Sequence, residues 1–308
     1  MHIFDSLKSR SDICFLSFND LENKADLIPG YNFYLIKFNG VVDLYWIKQQ
    51  SKKVNGKIAV ISSAEEFDNT DNVKFFKHLN WNLSNTFESV NPIKTHKFSV
   101  NANVLTQANT WVLSKLLEYK DDCIVNFDNS IINNADFDEW GFTSNAYLDN
   151  LIDNFTNNHN GVFQQNNFEN SALSFVFTNY HYSFMMDDFV PYIHPGPYIS
   201  ENILNCLASG QAFIPCGQYN IYNTLTKYGF KFDYDFDISW DNDQGNLSRF
   251  EKICKLIDIL SECSITDIIN ATKELTAHNL EYFYSEEFKN FCNKSNNDTL
   301  IELHKYVN

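Results

Sequence analysis

Residues 191–232, PYIHPGPYISENILNCLASGQAFIPCGQYNIYNTLTKYGFKF, decide the fold class. Ser200 is an N-cap residue type placed before a helical pattern in which Ile199, Ile203 and Leu207 share one face, with Glu201 in the first turn. Gly210 ends that helix at a C′ position, and Ala212–Cys216 (AFIPC) is a short apolar run closed by Gly217. A second helix over about Tyr219–Tyr228 stops at Gly229, and Phe230–Phe232 is extended again. Helix and buried strand alternating in this way predict an open α/β sheet, whose ligand crevice lies beyond the carboxyl ends of its strands. The loop His194–Pro195–Gly196–Pro197 and the turn at Gly217 fall on that rim.

Working outward, Ala172–Phe177 (ALSFVF) is a continuous apolar strand, with the polar, aromatic Thr178–Tyr182 (TNYHY) at its carboxyl end. Phe98–Asn101 and Cys123–Phe127 are two more strands, separated by an amphipathic helix over Gln107–Glu118 that carries Trp111, Leu113, Leu116 and Leu117 on its apolar side. The polar turn Asn101–Ala102–Asn103 offers backbone N–H groups to a phosphate. Residues 128–170 are rich in Asn and Asp, with one helix suggested around Ala146–Phe155. In the first hundred residues, apolar runs at Ile13–Phe18, Tyr31–Phe38, Val41–Ile47 and Lys57–Ser62 read as strands. Asn39–Gly40 between two of them is a type I′ hairpin signal. Asn72–Leu79 reads as a short helix, and Asn91–Pro92 marks a break before a domain boundary near residue 95. After Phe232, Ser248-x-x-Glu251 reads as a capping box and Ser264-x-x-Asp267 as a further helix start. They open one helix striped by Leu247, Phe250, Ile253, Leu256, Ile257 and Leu260 and another reaching about Tyr284. The tail reads as one or two short helices.

The net charge of −16 is unevenly spread: residues 1–100 carry 12 Lys/Arg against 11 Asp/Glu, and residues 101–308 carry 11 against 28. Only the first part can meet a polyanion, through Lys48, Lys52, Lys53 and Lys57; these also fit a solvated hairpin, and a specific duplex reader carries a stronger basic footprint. Arg10 and Arg249 are the only arginines, so clamping of phosphate by several guanidiniums is excluded. Seven Cys without paired spacing read as reduced thiols. With no apolar leader and no run of about 20 apolar residues, a cytoplasmic protein is expected.

Several chemistries lose support at once. There is no G-x-G-x-x-G, no P-loop lysine, no nucleophile elbow and no zinc spacing. Asp233, Asp235 and Asp237 match the first positions of an EF-hand loop, but Ile238 stands where Gly is needed and Gln244 where Glu is needed. The same residues form D-x-D triplets, which fit either a metal motif or a solvated loop. No metal site is expected. Arg249 opens a helix, where a cation opposes the dipole, so it calls for an anion: a nucleotide phosphate or the acidic loop Asp233–Asp243.

Residues 199–217, ISENILNCLASGQAFIPCG, followed by the Tyr228–Lys231 turn, an acidic loop and a helix with an early Arg249, resemble a segment of GT-B-like glycosyltransferases. That segment occurs in α1,3-fucosyltransferases and in small, mostly phage-encoded glycosyltransferases, and the resemblance covers roughly Ser171–Leu260. It implies two Rossmann-like α/β domains with the active site in the cleft between them: an acceptor-side domain over 1–95, a nucleotide-sugar domain over 96–270, and C-terminal helices over 271–308 that cross back. It also implies a metal-independent glycosyltransferase with a nucleotide-sugar as co-substrate and no cofactor. Glu201 would hold ribose hydroxyls, with Ser200, Asn202, His194, Gly196, Gly217, Tyr180, His181, Tyr182, Asn101 and Arg249 around the donor. Asn202 stands where the family carries a lysine. Each of these has a plainer role open to it: Glu201 as a first-turn glutamate facing the helix dipole, His194–Gly196 as a rigid loop, Tyr180–Tyr182 as core. The base that takes the acceptor proton is left between Asp20 and Asp43. The acceptor suggested by the phage-like character is 5-hydroxymethylcytosine in DNA. A saccharide, lipid or protein acceptor, or a nucleotide-sugar-binding protein without turnover, remain the alternatives.

Overall fold

The computed structural model describes residues 7, 10–16, 26–37, 44–62, 72–79, 93–102, 107–127, 170–177, 197 and 199–308. The strands, in chain order, are β1 (Ile13–Leu16), β2 (Phe33–Lys37), β3 (Lys57–Ser62), β4 (Val73–Lys77), β5 (His96–Ala102), β6 (Cys123–Phe127), β7 (Ser171–Phe177) and β8 (Phe213–Cys216). The helices are α1 (Leu44–Ser51), α2 (Gln107–Leu117), α3 (Glu201–Ser209), α4 (Ile221–Lys227), α5 (Asn246–Ser261), α6 (Ile265–Tyr284) and α7 (Glu286–Val307). Two compact units result, one from the described residues within 1–82, 193–198 and 286–308, the other from those within 83–192 and 199–285. Each is a Rossmann-like α/β unit around a parallel four-stranded sheet.

In the first unit the sheet order is β1-β2-β3-β4, every pair parallel. Each crossover therefore advances in the same direction, and right-handed crossovers then all lie on one face. That face holds α1, whose Ile47 packs with Tyr34, Ile36, Ile58, Val60 and Val73. The opposite face, with Leu35, Ala59, Ile61 and Phe76, has to be covered by something outside the run of crossovers. Helix α7 does this with Leu303 and Val307, each contributing about 1.5–3 kcal/mol by burial. Its Asn296 side chain also clamps both backbone groups of Leu79, at 2.8 and 3.0 Å.

In the second unit the order is β6-β5-β7-β8, again all parallel. The crossovers leave β5 and β7 in opposite directions, which places α2 and α3 on opposite faces and makes a topological switch point between those strands. Helix α5 packs on α2, and α6 packs on α3 and β7. β7 is buried along its whole length. Ser200 caps α3 as expected, with its side chain accepting from the Ile203 N–H, and Gly210 closes the helix at φ +66°. Ser264 and Asp267 form the capping box of α6.

Five expectations are corrected. Residues 44–47 are helical rather than part of a hairpin strand, because both edges of β2 are taken by parallel neighbours; Ile47 and Gln50, three apart, face inward. The Asn39–Gly40 turn itself lies outside the described residues. The stretch read as a helix over 72–79 is strand β4: both sheet faces are covered, so Val73 enters one core and Phe76 the other, and their spacing of three imitates a helix. Phe230–Phe232 joins no sheet, although burial alternates residue by residue from Tyr228 to Tyr234. The box at Ser248 does not form, since α5 starts at Asn246 and the Ser248 hydroxyl donates to Asp243 at 2.8 Å instead. The tail is one helix of 22 residues, with neither Gly nor Pro to break it.

Candidate functional site

The carboxyl rim of the second sheet collects several of the residues singled out by sequence. Asn101 sits near the end of β5, with backbone register to Asn126 and Val176. Gly217 follows the last residue of β8. Only Gly210, Gln211 and Ala212 link the end of α3 to the start of β8, so α3 begins towards the carboxyl rim, beside the switch point. Ser200 is buried there as the cap. Glu201 and Asn202 are the first two helical residues, whose N–H groups have no intrahelical acceptor. The Glu201 side chain is exposed and makes no hydrogen bond or ion pair among the described residues, while Asn202 is half-buried.

The turn after β8 is closed by protein groups. Arg249 is 1% exposed. Its Nε donates to the Gly217 carbonyl at 2.9 Å and one terminal nitrogen to the Asp243 carbonyl at 2.6 Å. The anion that a helix-start arginine calls for is thus replaced by two carbonyls, one from the turn after β8 and one from its own loop. Asn220, at φ +62°, turns the chain into α4. There the Asp241 carboxylate accepts from the N–H groups of Ile221 and Tyr222, both at 2.9 Å, and of Asn223 at 3.4 Å. A side chain from the acidic loop therefore occupies the helix start that follows the Gly217 turn, where the donor was expected. No local signal marks Asp241 for this, because its partners are backbone groups 18–20 residues away.

Burial pushes the Asp241 carboxyl up to about 6, against the three backbone donors and the Arg249 charge that pull it down. Since the folded value exceeds the usual 3.8, the group's contribution to stability is complete below about pH 4 and is lost as pH rises through 6. Asp241→Asn removes the titration. Between pH 4 and 7.5, unfolding free energies of the wild type should fall relative to this variant by up to about 3 kcal/mol. Parallel urea titrations of the two proteins measure the difference; a gap independent of pH would contradict the buried, strained ionisation.

Asp233, Asp235 and Asp237 are exposed, while Tyr234 between them is buried and Phe236 half-buried, so the D-x-D pattern is the outer side of an alternating segment. Among the described residues no group of three His, Cys, Asp or Glu side chains is arranged to hold a metal. All seven cysteines are free thiols, and burial pushes Cys206 and Cys292 up to about 12, which leaves them poorly nucleophilic. Lys48 lies in the last turn of α1, Lys52 and Lys53 just after it, and Lys57 at the start of β3. All four are exposed at the amino rim of the first sheet, the opposite edge from the one where α/β sheets bind ligands. Lys53 pairs with Asp26 at 2.6 Å, and the Lys57 amine lies over the Phe33 and Tyr306 rings. Asp20, Asp43, Tyr180, His181, Tyr182, His194 and Gly196 lie outside the described residues, as does the helix suggested around 146–155. Among the described residues no helix is long and apolar enough to cross a membrane. Comparison with protein families, curated proteins and solved structures finds no match to this chain.

Proposed function

We propose that this protein is a glycosyltransferase that takes a nucleotide-activated sugar on the carboxyl rim of its second sheet. The observation that carries this reading is the placement of Glu201: an exposed carboxylate without a partner among the described residues, in the first turn of a helix beside the β5–β7 switch point. A carboxylate there accepts two hydrogen bonds from vicinal ribose hydroxyls. The unshared N–H groups of Glu201 and Asn202 favour negative charge nearby, as it builds on the departing phosphate when the anomeric carbon is attacked. An acceptor hydroxyl must lose its proton in the same step, and Asp20 and Asp43 remain the proposed bases.

5-Hydroxymethylcytosine in DNA is kept as the proposed acceptor on the strength of the resemblance alone. The amino-rim position of Lys48, Lys52, Lys53 and Lys57 lends it no support, and a saccharide, lipid or protein hydroxyl competes with it. One observation favours a second reading, a nucleotide-sugar-binding protein without transfer. Both arginines are already engaged, Arg10 with Asp12 and Asn308 and Arg249 with the Gly217 and Asp243 carbonyls, so neither guanidinium is offered to a diphosphate.

A thermal-shift and calorimetric screen of nucleotide sugars tests the site. The preferred nucleotide should bind Glu201→Ala at least tenfold more weakly, a loss of about 1.4 kcal/mol or more, with the unliganded variant as stable as the wild type. Equal affinity in both proteins would remove the assignment of Glu201. A mass increase on hydroxymethylcytosine DNA identifies that acceptor, and bound sugar that is never transferred supports the binding protein.

A further inference from the structure

Between β8 and α4 the chain makes the turn Gly217–Asn220, at the carboxyl rim of the second sheet. Helix α3 packs on both β7 and β8, so its first turn and this turn are neighbours at the same end of the sheet. Both ends of the turn are pinned by groups from elsewhere in the unit. The buried Arg249 of α5 donates to the Gly217 carbonyl at 2.9 Å, and the Asp241 carbonyl accepts from the Asn220 N–H at 2.5 Å. Asn220 is held at φ +62°, the one positive value at a residue other than glycine among the described residues. Backbone of this kind persists where the surrounding structure over-determines it, and it gathers at ligand clamps.

Tyr219, inside that turn, is the exception in a well-satisfied region. Tyr119, Tyr222, Tyr282 and Tyr284 of the same unit each donate their hydroxyl to a protein acceptor. Tyr222, Phe213, Phe232 and Trp240 also pack ring on ring. Tyr219 is half-buried, and neither its hydroxyl nor its backbone N–H has a hydrogen-bond partner among the described residues. A rigid turn carrying two unpartnered donors at a ligand rim is preorganised for an acceptor.

We infer that Tyr219 receives the diphosphate of the nucleotide-sugar, its backbone N–H and its phenol each donating to a phosphate oxygen. The inference rests on the nucleotide reading of this rim and supplies what that reading lacks. Neither arginine is offered to a phosphate, so neutral donors have to meet the charge. Hydrogen bonds to an ionised acceptor are roughly twice as strong as neutral ones, which lets a phenol and an amide serve. With the ribose at Glu201, the diphosphate runs from the start of α3 towards the end of β8, where the Tyr219 turn lies.

The test uses the full chain in calorimetric titrations with the nucleoside diphosphates of adenine, guanine, cytosine, thymine and uracil. The one that binds best should bind Tyr219→Phe about tenfold more weakly, with the ring kept and only the hydroxyl removed. Unliganded melting temperatures of the two proteins should agree, because no acceptor among the described residues loses a donor. A lower value in the variant reveals a structural partner for the hydroxyl and overturns the proposal. If Glu201→Ala weakens the diphosphate while Tyr219→Phe binds it as tightly as the wild type, the role of Tyr219 is overturned and the rim reading stands. If no nucleoside diphosphate binds, or if Glu201→Ala binds as the wild type does, the rim reading fails and takes this inference with it.

Discussion

Replacing Arg249 with methionine should destabilise the second unit by about 3–5 kcal/mol, although the new side chain is apolar and of similar length. The loss does not come from volume. The carbonyls of Gly217 and Asp243 lose their charged donor, and Asp241 keeps a buried carboxyl with its nearby positive charge removed. Hydrogen bonds to a charged group contribute about 1.5–3 kcal/mol each, and an orphaned buried acceptor costs about 1–3 kcal/mol. Because the guanidinium lowers the Asp241 carboxyl, its removal should also move the midpoint of the pH effect upward from about 6. Urea unfolding followed through the buried Trp111 and Trp240 of this unit reports the change. A cost below about 1 kcal/mol would show that the guanidinium is solvated and the knot behind the turn does not exist.

Gly229→Ala should cost about 3–4 kcal/mol, the second largest effect. The residue has φ +103°, which by itself penalises a side chain by about 1–3 kcal/mol. A Cβ would also fall within the space of the Tyr282 hydroxyl and ring. Tyr282 cannot retreat cheaply: it donates to the Tyr228 carbonyl at 2.8 Å and packs edge-on against Phe230 with centroids 5.2 Å apart. At Gly210, by contrast, φ is +66° and the nearest obstacle is the flexible end of Leu280 at 3.2 Å, so the same substitution should cost only about 1 kcal/mol. Combining Gly229→Ala with Tyr282→Ala separates the two causes. A loss smaller than the sum of the single losses by about 1 kcal/mol or more identifies the steric clash, whereas additivity leaves backbone strain alone.

Much of the second unit is legible in the sequence, because there local signals and tertiary demands agree. Ser200, Gly210, Ser264 and Asp267 stand where the caps form, and the runs around Ala172–Phe177 and Ala212–Cys216 become buried parallel strands. The first unit reads less well, for a specific reason. Its strands are short and covered on both faces, so burial follows neither a period of two nor one of 3.6. Val73 and Phe76 therefore look helical while lying in a strand, and the short α1 looks like a strand because the run Val41–Ile47 crosses its start. The site divides along the same line. Glu201 is visible as a first-turn carboxylate because its position depends on the local chain. Asp241 is hidden among acidic neighbours, since what distinguishes it is three amide protons brought from α4 by the fold.

The cover that α7 provides for the first sheet has a consequence for biosynthesis. The strands β1 to β4 leave the ribosome well before the residues that complete them, with Leu303 and Val307 sealing apolar surface built by Leu35, Ala59 and Ile61. Until then that layer is a sticky, half-finished plate, while the chain within 83–285 has everything needed to collapse first. Such order of events favours chaperone protection of the nascent first sheet, and a chain cut before Leu303 should be as damaged as one with a lesion in the central strands.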